Sequence, residues 1–238
     1  MCRGKRTCTE LGADPEAWPT DAPLMPPKWF DEQLKIFTKA VRLVAMSDVA
    51  AGEALLRTIR SQELQNWFIE HGHVSGWIRR RHFPMAERAN LPERDSRSAL
   101  RRIEDAVLKR DGYRCRYCGL SLIAKSVLKA FSKVVDPRLF CAAGTNLERH
   151  GIALVFRANV DHVLPWNHGG RTEIDNLVSA CQGCNYGKAS YTLDEIGIVD
   201  PRNRSASKRN SWVGLTSYLQ RLQGKIAPLD APVRRRTN

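Results

Sequence analysis

The sequence predicts an α+β protein that is mostly helical, with a helical N-terminal half followed by a small strand–loop–strand–helix unit. Three observations lead to this prediction. Apolar residues recur at spacings of three and four from Trp29 to about Gly72, which is the period of an α-helix. An apolar, strand-like run from Ile152 to Val160 precedes a short polar stretch. Two Cys-x-x-Cys pairs bracket that run and tie distant segments to one place.

The length and composition set bounds on the class of protein. A chain of 238 residues suggests one domain with extensions or two small domains, and 42% hydrophobic residues suffice for a core. No apolar run approaches the ~20 residues of a membrane span, and no signal-like stretch follows the N-terminal basic residues. We therefore expect a soluble, cytoplasmic protein without a membrane partner.

Four regions are predicted from changes in composition along the chain. Residues 1–27 contain five prolines and little periodicity, so we expect a mostly disordered arm. In this arm Cys2 and Cys8 are either unpaired thiols or metal ligands, and the first interpretation is favoured. Residues 28–95 form the predicted helical domain, residues 96–200 hold the Cys-x-x-Cys pairs, and residues 201–238 form a basic C-terminal extension.

The helical domain is predicted to contain three helices. The first carries one apolar stripe, the second is capped by Ser47 or Asp48 with Ala51, Leu55 and Ile59 on one face, and the third runs from about Ser61 and stops at Gly72. The stripe consists of Phe30, Leu34, Phe37, Val41 and Val44.

Single residues of this domain admit two interpretations. Core packing is favoured over base stacking for Trp67 and Trp77, and surface positions over metal binding for three histidines. For the basic run from Arg79 to Arg81, a phosphate contact and a solvated helix face are equally favoured interpretations. Ten basic and nine acidic residues in 31–95 make the domain a poor DNA-binding module, which leaves dimerisation, a protein partner or a few specificity contacts as its role. The three histidines are His71, His73 and His82.

Two Cys-x-x-Cys pairs predict a structural zinc site. A helix that begins at Ser96 or Ser98 and ends at Arg110 leads into the first pair, and the second pair follows 62 residues after the first. Four thiolates make a closed tetrahedral zinc site, whereas redox use would need only one pair. The predicted ligands are Cys115, Cys118, Cys181 and Cys184, and Cys141 is left for packing.

Residues 120–150 form an insert between the two pairs. Leu120 to Val135 is predicted to be helical, and Asp136-Pro137 ends it. Three lysines spaced by four share one face of this helix and either line a groove for a polyanion or are solvated; these are Lys125, Lys129 and Lys133.

The stretch from Asp161 to Lys188 combines a carboxylate, an imidazole, two carboxamides and a lysine, a mixture that suits a functional site rather than a core. Pro165 and Gly169-Gly170 end the preceding strand, because proline cannot continue a ladder and glycine permits a tight loop. A return strand is predicted at residues 176–178, and a helix from Cys184.

These residues resemble the HNH nuclease family, whose fold is called ββα-metal. The resemblance rests on Asp161-His162-x-x-Pro165, the Gly-Gly loop, an Asp-Asn-Leu segment, and Cys-x-x-Cys-Asn185-x-x-Lys188, and it covers Arg110 to about Ser190. Asn185 stands where many members carry histidine, so the chain is similar to the HNN variants. This difference bears on metal preference.

The resemblance implies a metal-dependent endonuclease that hydrolyses DNA. His162 is expected to be the general base, since an imidazole titrates near neutral pH. Asp161 and Asn185 are expected to hold a catalytic Mg²⁺ or Mn²⁺, and the Zn²⁺ to be structural. Asn176 is expected to fix the loop through backbone hydrogen bonds, and Lys188 to support the phosphate. His168 is expected to be a spare histidine in an exposed loop.

The charge distribution predicts where DNA is bound. Residues 96–200 hold fifteen basic and eleven acidic side chains, and residues 201–238 hold nine and one, so the last segment contributes +8 of the net +13. A polyanion is the natural partner, and double-stranded DNA is expected. The residues expected to contact it are Arg171, Lys188, Lys208, Arg209, Arg79 and Arg80.

Further structure is expected after the site. Residues 192–195 form a predicted capping box that starts a short helix, and Trp212 to Leu222 form a predicted amphipathic helix. Two alternative functions stay open: a zinc-ribbon module that binds nucleic acid without cutting it, and a nuclease effector arm of a toxin or defence system.

Overall fold

The structure, a computed structural model, describes residues 7–85, 97–204 and 211–226, with the side chains of 97–99 and 101–102 left aside. The predicted class is confirmed, since the described chain is mostly helical with one small antiparallel sheet. The helices and strands are α1 (Trp29–Ala45), α2 (Val49–Leu56), α3 (Ser61–Trp67), α4 (Ser75–Arg79), α5 (Arg97–Arg110), α6 (Lys125–Ser132), α7 (Gly151–Val155), β1 (Asn159–His162), β2 (Leu177–Ala180), α8 (Gln182–Lys188) and α9 (Leu219–Gln223). No helix in these ranges is long and apolar enough to cross a membrane.

The helical pattern of the N-terminal half is confirmed. The predicted stripe of α1 is buried along its whole length, and the side chain of Asp48 caps α2 by accepting from the backbone N–H of Ala51 at 3.1 Å. The buried residues of α2 are Gly52 and Leu56, one position along from the predicted face. A Cβ on Gly52 would lie 2.4 Å from Val44 Cγ2, so the glycine lets α2 approach α1 closely.

The segment from residue 7 to residue 27 is packed, so the prediction of a disordered arm is wrong for this part. Trp18 and Leu24 are buried, and the indole N–H of Trp18 donates to the Gly12 carbonyl at 3.1 Å. Prolines prevent a long helix, but they do not prevent apolar side chains from joining a core. Cys8 is also buried, with its sulfur 3.3 Å from Nδ1 of His71.

Arg79 is buried against several backbone carbonyls of this segment, which makes its predicted phosphate contact wrong. Its guanidinium is buried and donates to the carbonyls of Pro23 at 2.8 Å, Ala22 at 3.2 Å, Ile196 at 3.1 Å and Pro19. Burial lowers the pKa of Arg79 to about 10, so it stays charged at neutral pH. Its donors are used by the backbone.

The sequence predicted one strand from Ile152 to Val160, and this prediction is wrong for the first part of the run. Its first part is helix α7, which is buried and begins where Nδ1 of His150 accepts from the N–H of Ile152 at 3.3 Å. A fully buried apolar run has no polar face, so its periodicity does not distinguish helix from strand. A Cβ on Gly151 would lie 2.3 Å from the Ser61 carbonyl, which shows how closely α7 packs on α3.

The strand–loop–strand–helix plan itself is confirmed. β1 pairs with β2 in antiparallel register, with Asp161 opposite Val178 and His162 opposite Leu177, and α8 follows directly. Helix α5 lies against both strands. The predicted helical domain shares one continuous core with this unit, as the 5.9 Å separation of the Phe30 and Phe156 rings illustrates.

Two further predicted helices are shorter than expected. In the insert, α6 covers only the middle of the predicted Leu120–Val135 helix. Near the C-terminus, the predicted Trp212–Leu222 helix is reduced to a 3₁₀ turn and α9, because Leu215 has a left-handed backbone with φ of 62°. Leu222 is fully buried, so this part of the basic extension belongs to the core.

Candidate active site and metal centre

The two Cys-x-x-Cys pairs converge on one point. Their four sulfur atoms lie within 4.8 Å of one another, and the Cys118 and Cys181 sulfurs are 3.7 Å apart. Zn–S bonds of about 2.3 Å in a tetrahedron place sulfurs ~3.8 Å apart, so the donor set fits zinc in both chemistry and size. The cluster consists of Cys115, Cys118, Cys181 and Cys184.

The cluster joins the turn after α5 to the first turn of α8. Gly119, with φ of 77°, turns the chain so that its N–H donates to the Cys115 carbonyl at 2.9 Å. The sulfur of Cys181 caps α8 by accepting from the N–H of Cys184 at 3.3 Å. Because Asn185 follows Cys184 directly, the cluster also determines where Asn185 lies.

Asp161 is a buried carboxylate with two polar partners from different segments. The hydroxyl of Tyr117 donates to Asp161 Oδ2 at 2.7 Å, and Nζ of Lys188 lies 3.3 Å from the same oxygen. Burial raises the pKa of Asp161, and the charge of Lys188 and the Tyr117 hydroxyl oppose that rise. Both partners engage Oδ2, and no hydrogen bond from the described part of the chain engages Oδ1.

Lys188 lies inside the protein rather than at the surface. Its side chain has no exposed area, and besides Asp161 it donates to the carbonyl of His162 at 2.7 Å. The predicted phosphate contact of Lys188 does not occur in this arrangement, because a fully buried ammonium group cannot touch a backbone phosphate at the surface. Lys188 instead connects α8 to Asp161 and to the backbone of His162 on β1.

His162 is the last residue of β1 and is half-buried. Its ring Nε2 lies 3.1 Å from the hydroxyl of Thr172, in the loop between the strands. Neighbouring strand residues point to opposite faces, so His162 and the buried Asp161 lie on opposite faces of β1. Strand β1 ends at His162, where the loop that contains Thr172 begins.

Asn176 cross-links the loop between the strands. Its carboxamide accepts from the N–H of Leu164 at 2.9 Å and donates to the carbonyls of Leu164 and Arg171, both at 3.0 Å. Its own carbonyl accepts from the N–H of Val163 at 2.8 Å. A Cβ on Gly170 would lie 1.8 Å from the Leu164 carbonyl, so the loop requires glycine there. These bonds fix the chain directly after His162.

Asn185 lies on α8 and is half-buried. Residues three apart share a helix face, so Asn185 is on the same face as Lys188, which reaches Asp161. Two strands and a helix thus bring together a carboxylate, an imidazole and a carboxamide beside a four-thiol cluster. Residues 151–190, which we call the HNH unit, match the HNH endonuclease family model. This match indicates a nuclease or another nucleic-acid-related function. No curated protein and no solved structure matches the chain significantly.

The other residues predicted for the site lie in the loop between the two strands or elsewhere in the chain. His168 is largely buried, with Nε2 3.6 Å from Oε2 of Glu195, so the expectation of an exposed histidine is wrong. Arg80 lies 3.7 Å from the same glutamate, with its side chain mostly buried. Arg171 is exposed in the loop between the strands, 3.8 Å from Glu173. Lys208 and Arg209 lie outside the described residues.

Sequence reasoning missed two residues that contact Asp161 or His162. Tyr117 lies between the two cysteines of the first pair, so the thiol cluster itself carries its hydroxyl to Asp161. Its position inside a ligand pair was the available signal. Thr172 lies in a loop without periodicity, and only the folded chain reveals its contact with His162.

Proposed function

We propose that the protein is a metal-dependent endonuclease that hydrolyses DNA phosphodiester bonds. The observation that carries the proposal is the link made by Lys188, which binds Asp161 and the backbone of His162 from the helix that bears Asn185. A buried lysine with these contacts fixes the carboxylate and the imidazole-bearing residue relative to the helix that bears the carboxamide. The match of residues 151–190 to HNH endonucleases supports the same chemistry.

His162 acts as the general base in this proposal. Its imidazole takes a proton from the water that attacks phosphorus, and Thr172 orients the ring through its hydroxyl at 3.1 Å from Nε2. Asn176 supports His162 by fixing the loop that follows it. Lys188 is a positioning residue, because it contacts Asp161 and the His162 carbonyl rather than the nucleic acid.

Asp161 and Asn185 would hold one divalent cation, Mg²⁺ or Mn²⁺. Oδ1 of Asp161 and the carboxamide oxygen of Asn185 are hard donors, and no hydrogen bond from a described residue engages either atom. When bound, the cation stabilises negative charge on the phosphate and on the leaving oxygen. The four cysteines would hold Zn²⁺ in a structural role, since all four thiols would be occupied as ligands.

The test is nicking of supercoiled plasmid by the purified protein, with Mg²⁺ and with a chelator. His162→Ala should lower the single-turnover rate by at least ~10²-fold, the scale of a lost general base, while DNA affinity and thermal stability change little. His82→Ala, an exposed histidine outside the HNH unit, is the matched control and should cut normally.

Two outcomes would contradict the proposal. If the wild-type protein binds DNA but does not nick it with any divalent cation, the protein is a zinc-ribbon module that binds nucleic acid without cutting it. If His162→Ala retains most of the activity, another residue is the base, and His168 should be tested first.

A further inference from the structure

A basic groove lies outside the proposed active site, between α6 and the segment that leads into β1. It encloses a cavity of about 570 Å³, and none of the residues that line it is acidic. Its five cationic residues are Lys125, Lys129, Lys133, Arg149 and Arg157.

The groove is built by the local sequence on one side and by a tertiary contact on the other. The three lysines recur every four residues, so they share the face of α6 opposite its buried Val127 and Phe131. The backbone carbonyl of Arg149 accepts from the amide of Gln65 on α3, which holds this arginine across the groove from α6.

Most of the charge in the groove is not neutralised by the protein. Among the described residues, Lys125 pairs with Glu104, whereas no carboxylate lies within 4 Å of the other four cations. Nε of Arg149 is buried without a hydrogen-bond partner in the same part of the chain. Burial lowers the pKa of Arg157, and the neighbouring charge of Arg149 lowers it further. Such a cluster gains stability when an anion enters.

The groove has the dimensions of a backbone-binding surface. Eight residues separate Lys125 from Lys133, which corresponds to about 12 Å along α6 at ~1.5 Å per residue. One DNA strand rises ~3.4 Å along the helix axis per phosphate, and successive phosphates are farther apart along the strand itself, so this face spans about two or three phosphates. A row of cations along a helix suits an extended polyanion.

The groove is also close to the HNH unit. Arg157 precedes His162 by five residues, so their Cα atoms are at most about 17 Å apart. The amide of Asn159, at the start of β1, donates to the Arg157 carbonyl at 3.0 Å, which fixes Arg157 to the sheet. One nucleic acid can therefore reach both places.

We propose that the basic groove binds the sugar–phosphate backbone of the nucleic acid that the HNH unit cuts, a few nucleotides from the scissile bond. This inference rests on the proposed nuclease function. The groove holds the substrate through charge, without contributing to the chemical step.

The test compares the double variant Lys129→Gln, Lys133→Gln with the control Lys35→Gln, Lys39→Gln, which removes two exposed lysines with the same spacing on α1, outside the groove and outside the basic extension. Duplex binding is measured from 50 to 200 mM salt. Loss of two phosphate contacts should lower the slope of log K against log salt by about 1.8. The single-turnover rate at saturating DNA should stay within about twofold of wild type, whereas the control should keep both values.

Three results would overturn the inference. If the salt slope of the groove variant is unchanged, or if the control lowers the slope equally, the groove does not bind the DNA backbone. Saturable binding of tripolyphosphate that the groove variant loses, without a change in the DNA slope, assigns the groove to a small anion. If the wild type does not cut at all, the slope still tests the groove, so failure of the nuclease proposal is recognised separately.

Discussion

The buried pair of Lys188 and Asp161 allows a quantitative test of how the site is held. Two unit charges 3.3 Å apart attract by about 5 kcal/mol at an effective dielectric constant of ~20. Both side chains are buried, so removing the lysine leaves the carboxylate with only the Tyr117 hydroxyl. Loss of one partner of a buried pair typically costs about 3–5 kcal/mol. Lys188→Met should therefore lower the free energy of unfolding by about that amount.

The assay is urea unfolding of zinc-saturated protein, for Lys188→Met, Asp161→Asn and the double variant. Removing both charges should cost less than the sum of the single variants, with a coupling energy of at least ~1 kcal/mol, because neither charge is then left alone. Lys109→Met, at an exposed position on α5, is the matched control and should change stability by less than ~0.5 kcal/mol. A Lys188→Met variant as stable as this control, or strictly additive energies, would refute the argument.

Three other predictions concern metals and pH. Metal analysis should find about one tightly held zinc per chain in the wild type, and Cys118→Ser should lose this zinc and become less stable. A Cys118→Ser variant that stays folded and active without zinc would exclude a structural role. Wild-type cleavage should need Mg²⁺ or Mn²⁺, Asn185→His should shift the preference toward Ni²⁺ or Co²⁺, and Asn185→Ala should be inactive; wild-type activity with Ni²⁺ but none with Mg²⁺ in a metal titration would overturn the ligand assignment. Burial lowers the pKa of His150 to about 4, below its ordinary value of 6.5. The unfolded chain therefore binds a proton that the folded one does not as pH falls from 6.5 to 4, and about 3 kcal/mol of stability is lost over that window. His150→Asn, which retains a helix cap, should flatten this part of the pH–stability curve relative to wild type, and parallel curves would show that His150 is not responsible.

Sequence alone was sufficient where structure follows from local spacing. The α1 stripe and the Asp48 cap were predicted correctly, because periodicity and capping involve residues within a few positions of one another. The third helix ends as α3 at Trp67, and a π-helical turn continues it to the predicted stop at Gly72. The strand–loop–strand–helix plan and the convergence of the cysteine pairs followed from the order and type of residues between 115 and 188.

Only the tertiary structure decided the remaining features, because each depends on what packs against a residue from a distant segment. α7 is a helix since α3 covers it, although its apolar run suits a strand equally well. Arg79 is charged and lies next to other arginines, yet distant backbone carbonyls bury it. The position of Lys188 in the motif suggested a contact with phosphate. In the structure its ammonium group lies between Asp161 and the His162 carbonyl. Local spacing thus indicated the candidate site residues, and long-range packing determined where the side chains of Arg79 and Lys188 point.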